Sequence, residues 1–142
     1  MRNLSVRPPQ ALPAQATARI LGIGTDLLDV PRMAKELARE GGGFRDAVFT
    51  PSEIAWCEAK RYPAPHFAAR FAAKEALFKA LGGAAPPGFW RDVEIARTGD
   101  APPRLLLHGR VKEAADRLGV KEILVSLSHT DGLAAANVVL QG

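Results

Sequence analysis

From Phe67 to Leu81 the chain reads Phe-Ala-Ala-Arg-Phe-Ala-Ala-Lys-Glu-Ala-Leu-Phe-Lys-Ala-Leu and then meets Gly82-Gly83. Alanine, leucine, lysine and glutamate are strong helix formers, and glycine just past the end is a common stop. At about 100° per residue, Ala68, Ala69, Ala72, Ala73, Ala76 and Ala80 gather on one side. The other half carries Phe67, Phe71, Leu77, Phe78 and Leu81 together with Arg70, Lys74, Glu75 and, at its border, Lys79. A surface helix keeps its charges opposite its large apolar groups. No separate polar face exists here, so the pattern predicts a buried helix with close neighbours against its alanines. Charges placed among aromatics then need partners, because an unpaired buried charge is costly.

The other segments arrange themselves around this helix. Ile20 to Val30 reads as the first strand, with Ile23, Thr25 and Leu27 alternating against Gly22, Gly24 and Asp26. Asp26 thus shares a face with two glycines, where another backbone or a ligand can come close. Pro31 opens a helix to about Glu40, stopped by Gly41-Gly42-Gly43. Thr50-Pro51-Ser52-Glu53 is a capping box that starts a helix reaching about Lys60, before a break at Tyr62-Pro-Ala-Pro65. After the central helix and a loop containing Pro86-Pro87, Phe89 to Ala96 alternates as a half-buried strand and Arg104 to His108 as a short one. Arg110 to Leu118 is a surface-type helix ending at Gly119, and Glu122 to Ser128 and Leu133 to Leu140 are two more strands. Asp131-Gly132 between them is a strong hairpin signal. Strand, three helices, two strands, helix and hairpin predict a small α+β domain over residues 20–142, an antiparallel-type sheet packed around the long central helix.

Composition changes this picture at three points. The 142 residues suit one domain, with 47% hydrophobic and 24% charged residues in the ordinary globular range. The net charge is +4, but residues 1–19 carry Arg2, Arg7 and Arg19 and no acid, so the rest is close to neutral. A nucleic-acid binder keeps its basicity in the folded part, which counts against nucleic acid as the partner. Residues 1–19, rich in Pro, Ala and Gln, read as a disordered extension without a secretory apolar core. Cys57 is the only cysteine, which excludes an intrachain disulfide and a cysteine metal cluster and fits a reducing, cytoplasmic setting. No apolar run reaches the roughly 18 residues of a membrane helix.

Candidate chemistry lies with the charges of the central helix. Glu75 and Lys79 stand in the favourable i, i+4 order of a plain salt bridge, whereas Arg70 and Lys74 are a like-charged i, i+4 pair. The second pair points to an anion such as phosphate, although two solvated tips would also satisfy it. Arg32, Lys35 and Arg39 form a stripe on the first helix, either a solvated face or a docking surface for an acidic partner. His129 ends Ser126-Leu-Ser-His, but no Gly-x-Ser-x-Gly elbow supports a hydrolase triad. Gly22-x-Gly24 lacks the third glycine of a dinucleotide loop, Leu27 standing in its place.

Gly22-Ile-Gly-Thr-Asp-Leu-Leu-Asp-Val-Pro-Arg32, Arg70-Phe-Ala-Ala-Lys-Glu-Ala-Leu-Phe-Lys79 and Ser126-Leu-Ser-His129 resemble the holo-acyl-carrier-protein synthases, the short bacterial 4′-phosphopantetheinyl transferases. Phe49-Thr50, Glu53 to Cys57 and Asp92-Val-Glu-Ile95 look like the same family, so the likeness spans about residues 20 to 140. It implies transfer of phosphopantetheine from coenzyme A to a serine of an apo-acyl carrier protein, with release of adenosine 3′,5′-bisphosphate. It implies Mg²⁺ on Asp26 and Glu75, a catalytic role for Glu75 and Lys79, and diphosphate held by Lys79. Arg70, Lys74 and His129 become candidate phosphate ligands of the same nucleotide. The resemblance further implies a homotrimer with sites between subunits, and an acidic carrier docking at Arg32, Lys35 and Arg39. Thr25, Asp29 and Leu133 depart from the residues frequent in the family without removing a proposed ligand. The residues leave the carrier's pathway open, whether fatty acid biosynthesis, polyketide synthesis or another. Two rivals remain at this point: a non-enzymatic module binding an acidic protein through the stripe, and another nucleotide-handling enzyme such as a phosphohydrolase.

Overall fold

A computed structural model describes residues 18–39 and 41–142; most of the extension expected over residues 1–19 therefore lies outside the described residues. Ten elements follow in the order β1 (Ile20–Asp29), α1 (Val30–Ala38), α2 (Gly43–Val48), α3 (Pro51–Glu58), α4 (Pro63–Ala80), β2 (Val93–Ala96), β3 (Arg104–Leu107), α5 (Gly109–Leu118), β4 (Glu122–His129) and β5 (Leu133–Gln141). The longer strands form an antiparallel sheet in the order β1-β5-β4, while β2 and β3 form a separate hairpin. This is the α+β arrangement the pattern predicts. The backbones of Arg19 and Gly142 exchange two hydrogen bonds of 2.9 Å, tying the start of β1 to the end of β5.

The sheet meets α4 through its smallest side chains. A Cβ on Gly24 would collide with the carbonyl oxygen of Ala76, and one on Gly22 with that of Ala80. The alanine side of the helix therefore lies against the glycines of β1, where helix and strand backbones are in near contact. Ala72, Ala76, Val138 and Leu140 are fully buried at this junction. Around the N-terminal half of α4, Phe49, Cys57, Phe67 and Met33 form a second apolar cluster.

Three elements differ from expectation. The strand expected over Phe89 to Ala96 begins only at Val93, because Trp90–Asp92 form a 3-10 turn. The central helix starts at Pro63, not Phe67, so the Tyr62–Pro65 segment opens the helix instead of breaking it. The amides of a first turn have no intrahelical acceptor, so prolines there forfeit no hydrogen bond. The six residues of α2 were not foreseen; they follow a left-handed Gly42 and are too short to show a helical period. The capping box at the start of α3 forms as predicted, with Thr50 and Glu53 bonded reciprocally.

Candidate active site

Asp26 projects from the inward face of β1, two residues beyond Gly24. Its side chain is only 12% exposed, and Lys79 of α4 donates to its Oδ1 at 3.1 Å and to the carbonyl of Thr25 at 3.0 Å. The expected Glu75–Lys79 salt bridge is thus not the pairing found. The lysine crosses to the strand, where two acceptors converge on one ammonium. Glu75, one turn earlier and half-buried, faces the same space. Burial, and then the nearby Asp26 carboxylate, hold Glu75 above the ordinary carboxylate range, with Lys79 opposing. Asp26, Leu28, Arg32, Glu36, Phe71 and Glu75 line a cavity of about 520 Å³.

The donor set here suits a hard divalent cation. Two carboxylates repel each other across one cavity, which a cation between them would relieve. Among the described residues no cluster of three or more His, Cys, Asp or Glu is arranged to hold a metal, so an ion here would complete its shell from outside the protein. Mg²⁺ commonly does so, taking one or two carboxylates plus phosphate oxygens and water.

Arg70, one turn before Lys74 on α4, is 2% exposed. Its guanidinium lies 5.6 Å from the Trp56 ring centroid, and Nη1 donates to the carbonyl of His66 at 3.4 Å. Nε and Nη2 are buried without a partner. His129, on the inward side of β4, stands against His66 with ring centroids 5.0 Å apart. Lys60 lies 4.0 Å from the Trp56 centroid and Arg97 5.9 Å from it, so cations collect around this tryptophan. The placement leaves Arg70 with two free donors and His129 exposed.

Lys74 belongs elsewhere, and its expected role as a phosphate ligand is corrected. Its side chain is fully buried and donates to Glu53 Oε1 at 2.8 Å, to the carbonyl of Trp90 at 3.0 Å and to that of Val93. An ammonium has three protons, so none is left for an anion. Glu53 is fully used as well, accepting from the amides of Thr50 at 2.8 Å and Ile95 at 3.1 Å. The like-charged Arg70–Lys74 spacing therefore resolves into one lysine turned inward to a carboxylate and one arginine left short of partners. Glu53 was legible only as a cap; that it also meets Lys74, 21 residues on, is a matter of tertiary packing. Arg32 reaches the rim of the cavity, while Lys35 and Arg39 are exposed beyond it, Arg39 pairing with Glu36 at 3.3 Å.

Residues 22–138 match the profile of the 4′-phosphopantetheinyl transferase superfamily. The chain is 41% identical over 123 residues to the holo-[acyl-carrier-protein] synthase of Koribacter versatilis, covering 86% of this chain and 98% of that one. With the synthase of Anaeromyxobacter dehalogenans it is 44% identical over 127 residues, 87% of this chain and 97% of the relative. The Helicobacter pylori synthase in complex with coenzyme A superposes with a TM-score of 0.70 at 31% identity, covering 83% of this chain and 98% of the other. The Chronobacterium ammoniagenes ACPS–CoA complex gives a TM-score of 0.74 at 28% identity, over 84% and 96% of the two chains. The chain belongs to the 4′-phosphopantetheinyl transferase superfamily and, within it, to the holo-acyl-carrier-protein synthases. It is an enzyme of that transferase class.

Proposed function

We infer that this chain moves the 4′-phosphopantetheine arm of coenzyme A onto a serine of an apo-acyl carrier protein, in a Mg²⁺-dependent reaction that releases adenosine 3′,5′-bisphosphate. The observation that carries the reading is the convergence of Asp26 and Glu75, from a strand and a helix, on one cavity, with Lys79 bonded to Asp26 beside it, in a chain of this family. The serine Oγ forms a new bond to the phosphorus that bears the pantetheine arm. The phosphorus–oxygen bond of the diphosphate breaks, and the bisphosphate leaves with the electron pair. Asp26 and Glu75 would hold the Mg²⁺, which when bound would neutralise charge on the diphosphate. Lys79, steadied by Asp26 and the Thr25 carbonyl, would offset charge on the leaving phosphate. Glu75 has two oxygens, one for the cation and one to accept the serine proton. Phosphoryl-group transfer asks the protein chiefly for such positioning and charge neutralisation. Arg70 and His129 lie toward the other end of α4. Arg70 and Lys79 are nine residues apart, about 14 Å of helical rise and two and a half turns, so they leave α4 on opposite sides, and a coenzyme bound between subunits would meet Lys79 of one copy and Arg70 of its neighbour.

Arg32, at the cavity rim, continues into Lys35 and Arg39 on the exposed side of α1, which supports that helix as the dock for an acidic carrier. Reversing Arg32 and Arg39 to Glu should raise the Michaelis constant for the carrier far more than that for coenzyme A and flatten its salt dependence, because exposed charges act through a screened field. Equal effects on both substrates would remove the stripe from the docking surface. Mass spectrometry of candidate apo-carriers incubated with the protein, coenzyme A and Mg²⁺ tests the activity itself. The arm should appear on the carrier serine, be absent without Mg²⁺, and be lost in Asp26→Ala and Glu75→Ala.

A further inference from the structure

The transfer chemistry has no use for His66, yet the structure gives it a particular setting. It lies in the first turns of α4, with its ring 69° to that of His129 and the centroids 5.0 Å apart. Its carbonyl holds Nη1 of Arg70, whose Nε and Nη2 are buried with nothing to bond. The charged groups acting on the ring come from four parts of the fold and share one sign: His129 on β4, Arg70 on α4, Lys60 after α3 and Arg97 after β2. Of the acids near this side, Glu53 is engaged with Lys74 and Glu58 with Arg45 at 2.5 Å, while Asp131, two residues past His129, lines a pocket beside Ala64 and Pro65. The adjacent Cys57 thiol, pushed up to about 12 by burial, carries no charge either. A buried guanidinium with two orphan donors beside two edge-to-face imidazoles is a place built for an anion with several oxygens.

We propose that His66 is a member of the site that binds a phosphate group of the coenzyme, alongside Arg70 and His129, and that it takes up a proton as the phosphate arrives. The proposal rests on the reading that this chain binds coenzyme A. Before binding, burial and then the surrounding cations hold His66 down at about 4, so the ring enters the complex neutral. An anion within about 4–6 Å favours the charged form and raises such a pKa by roughly 1–3. The bound ring then titrates between about pH 5 and 7. Because the complex holds a proton that the free protein lacks, affinity must rise as the pH falls through that window.

Titration calorimetry of the full chain with adenosine 3′,5′-bisphosphate, between pH 5.5 and 7.5 in two buffers of different protonation enthalpy, counts the protons taken up. Wild type should take up more than His66→Phe, which keeps a ring against His129 but offers no nitrogen; the proton balance of the ligand itself cancels in the difference. Between pH 7.5 and 5.5 the affinity of wild type should rise about tenfold more than that of the variant, the equivalent of one pH unit of linkage. His66→Gln, smaller and also unable to take the proton, supplies the same comparison should the Phe variant fold poorly. Binding with equal proton uptake in wild type and variants overturns this proposal while leaving the coenzyme reading intact. Failure of wild type to bind the bisphosphate at all overturns both.

Discussion

Four charges on one helix, read from spacing alone, look alike, and the structure gives each a different task. Lys74 is a structural ion: its charge sits at zero exposure against Glu53, with two backbone carbonyls completing its donors. Burial lowers its pKa and Glu53 raises it, burial being the larger effect. Removing one partner of such a pair leaves a buried charge uncompensated, so Lys74→Met should cost about 3–5 kcal/mol in chemical denaturation. A loss below about 0.5 kcal/mol, the value of an exposed pair, would mean that Glu53 finds another partner. Lys79 is the contrasting case, half-exposed and tied to Asp26. As an exposed pair alone it would contribute little, and Lys79→Ala would leave turnover intact. If it meets the diphosphate as charge develops, Lys79→Ala should lower kcat/KM by about 10²–10³, the usual loss for one preorganised electrostatic contact. Lys79→Arg should fold normally and recover little, because its wide planar fork cannot reach both Asp26 and the Thr25 carbonyl as a compact ammonium does. Full rescue by Arg would show that charge alone matters there.

At the scale of elements, much of the architecture was legible because its causes are local. The capping box fixes the start of α3, the glycines after α5 and before β5 mark a helix end and a hairpin, and alternation marks the strands. The close seat of α4 was also implied, by glycines on alternate positions of β1 and alanines along one side of the helix. What the chain did not disclose is which charge meets which. Lys79 prefers a carboxylate 53 residues away to one a single turn back, and Lys74 turns to Glu53, 21 residues earlier. Those choices depend on where the strand and α3 are delivered by the whole fold. The same holds for His66, whose meaning comes from His129, Lys60 and Arg97 and not from its own neighbours. The glycine–alanine seat itself can be tested. In Gly24→Ala the new methyl meets the backbone of Ala76, which has no rotamer to move away. Helix and strand must part, and overpacking of this kind should cost about 3 kcal/mol. Since the strand also carries Asp26, activity should fall further than the loss of folded protein explains. Thermal melting and transfer assays on the same sample separate the two. An unchanged melting temperature would mean that the strand slides without cost.

The whole molecule shows one surface that a single chain leaves unexplained. On the outward side of the β1-β5-β4 sheet, Ile23 is 72% exposed, Leu27 66%, Leu133 48% and Leu124 45%. The register sets Ile23, Val139 and Leu124 in one row across the three strands and Leu27 beside Ala135 in another. Among the described residues no helix is long and apolar enough to cross a membrane. Exposed apolar rows of this sort, with the polar row of Thr25, Asn137 and Ser126 between them, mark an interaction site and support assembly of the chain into the homotrimer proposed from the family resemblance. Closed symmetry requires each copy to offer the same patch or a complementary one, and a sheet face flanked by the site-bearing strand β1 would bring neighbouring sites close to the interface. Ile23→Asp isolates this idea, because the side chain points to solvent in the single chain, stands outside the cavity that Asp26 and Glu75 line, and leaves the glycine face of β1 untouched. The variant should fold, with helix content and melting cooperativity preserved, but sediment as a smaller species than wild type. If coenzyme contacts are shared between subunits, its affinity for coenzyme A should fall with the assembly and recover at protein concentrations that restore it. Wild type that sediments as a monomer, or an Ile23→Asp variant that remains a trimer, would show that this sheet face is not the interface.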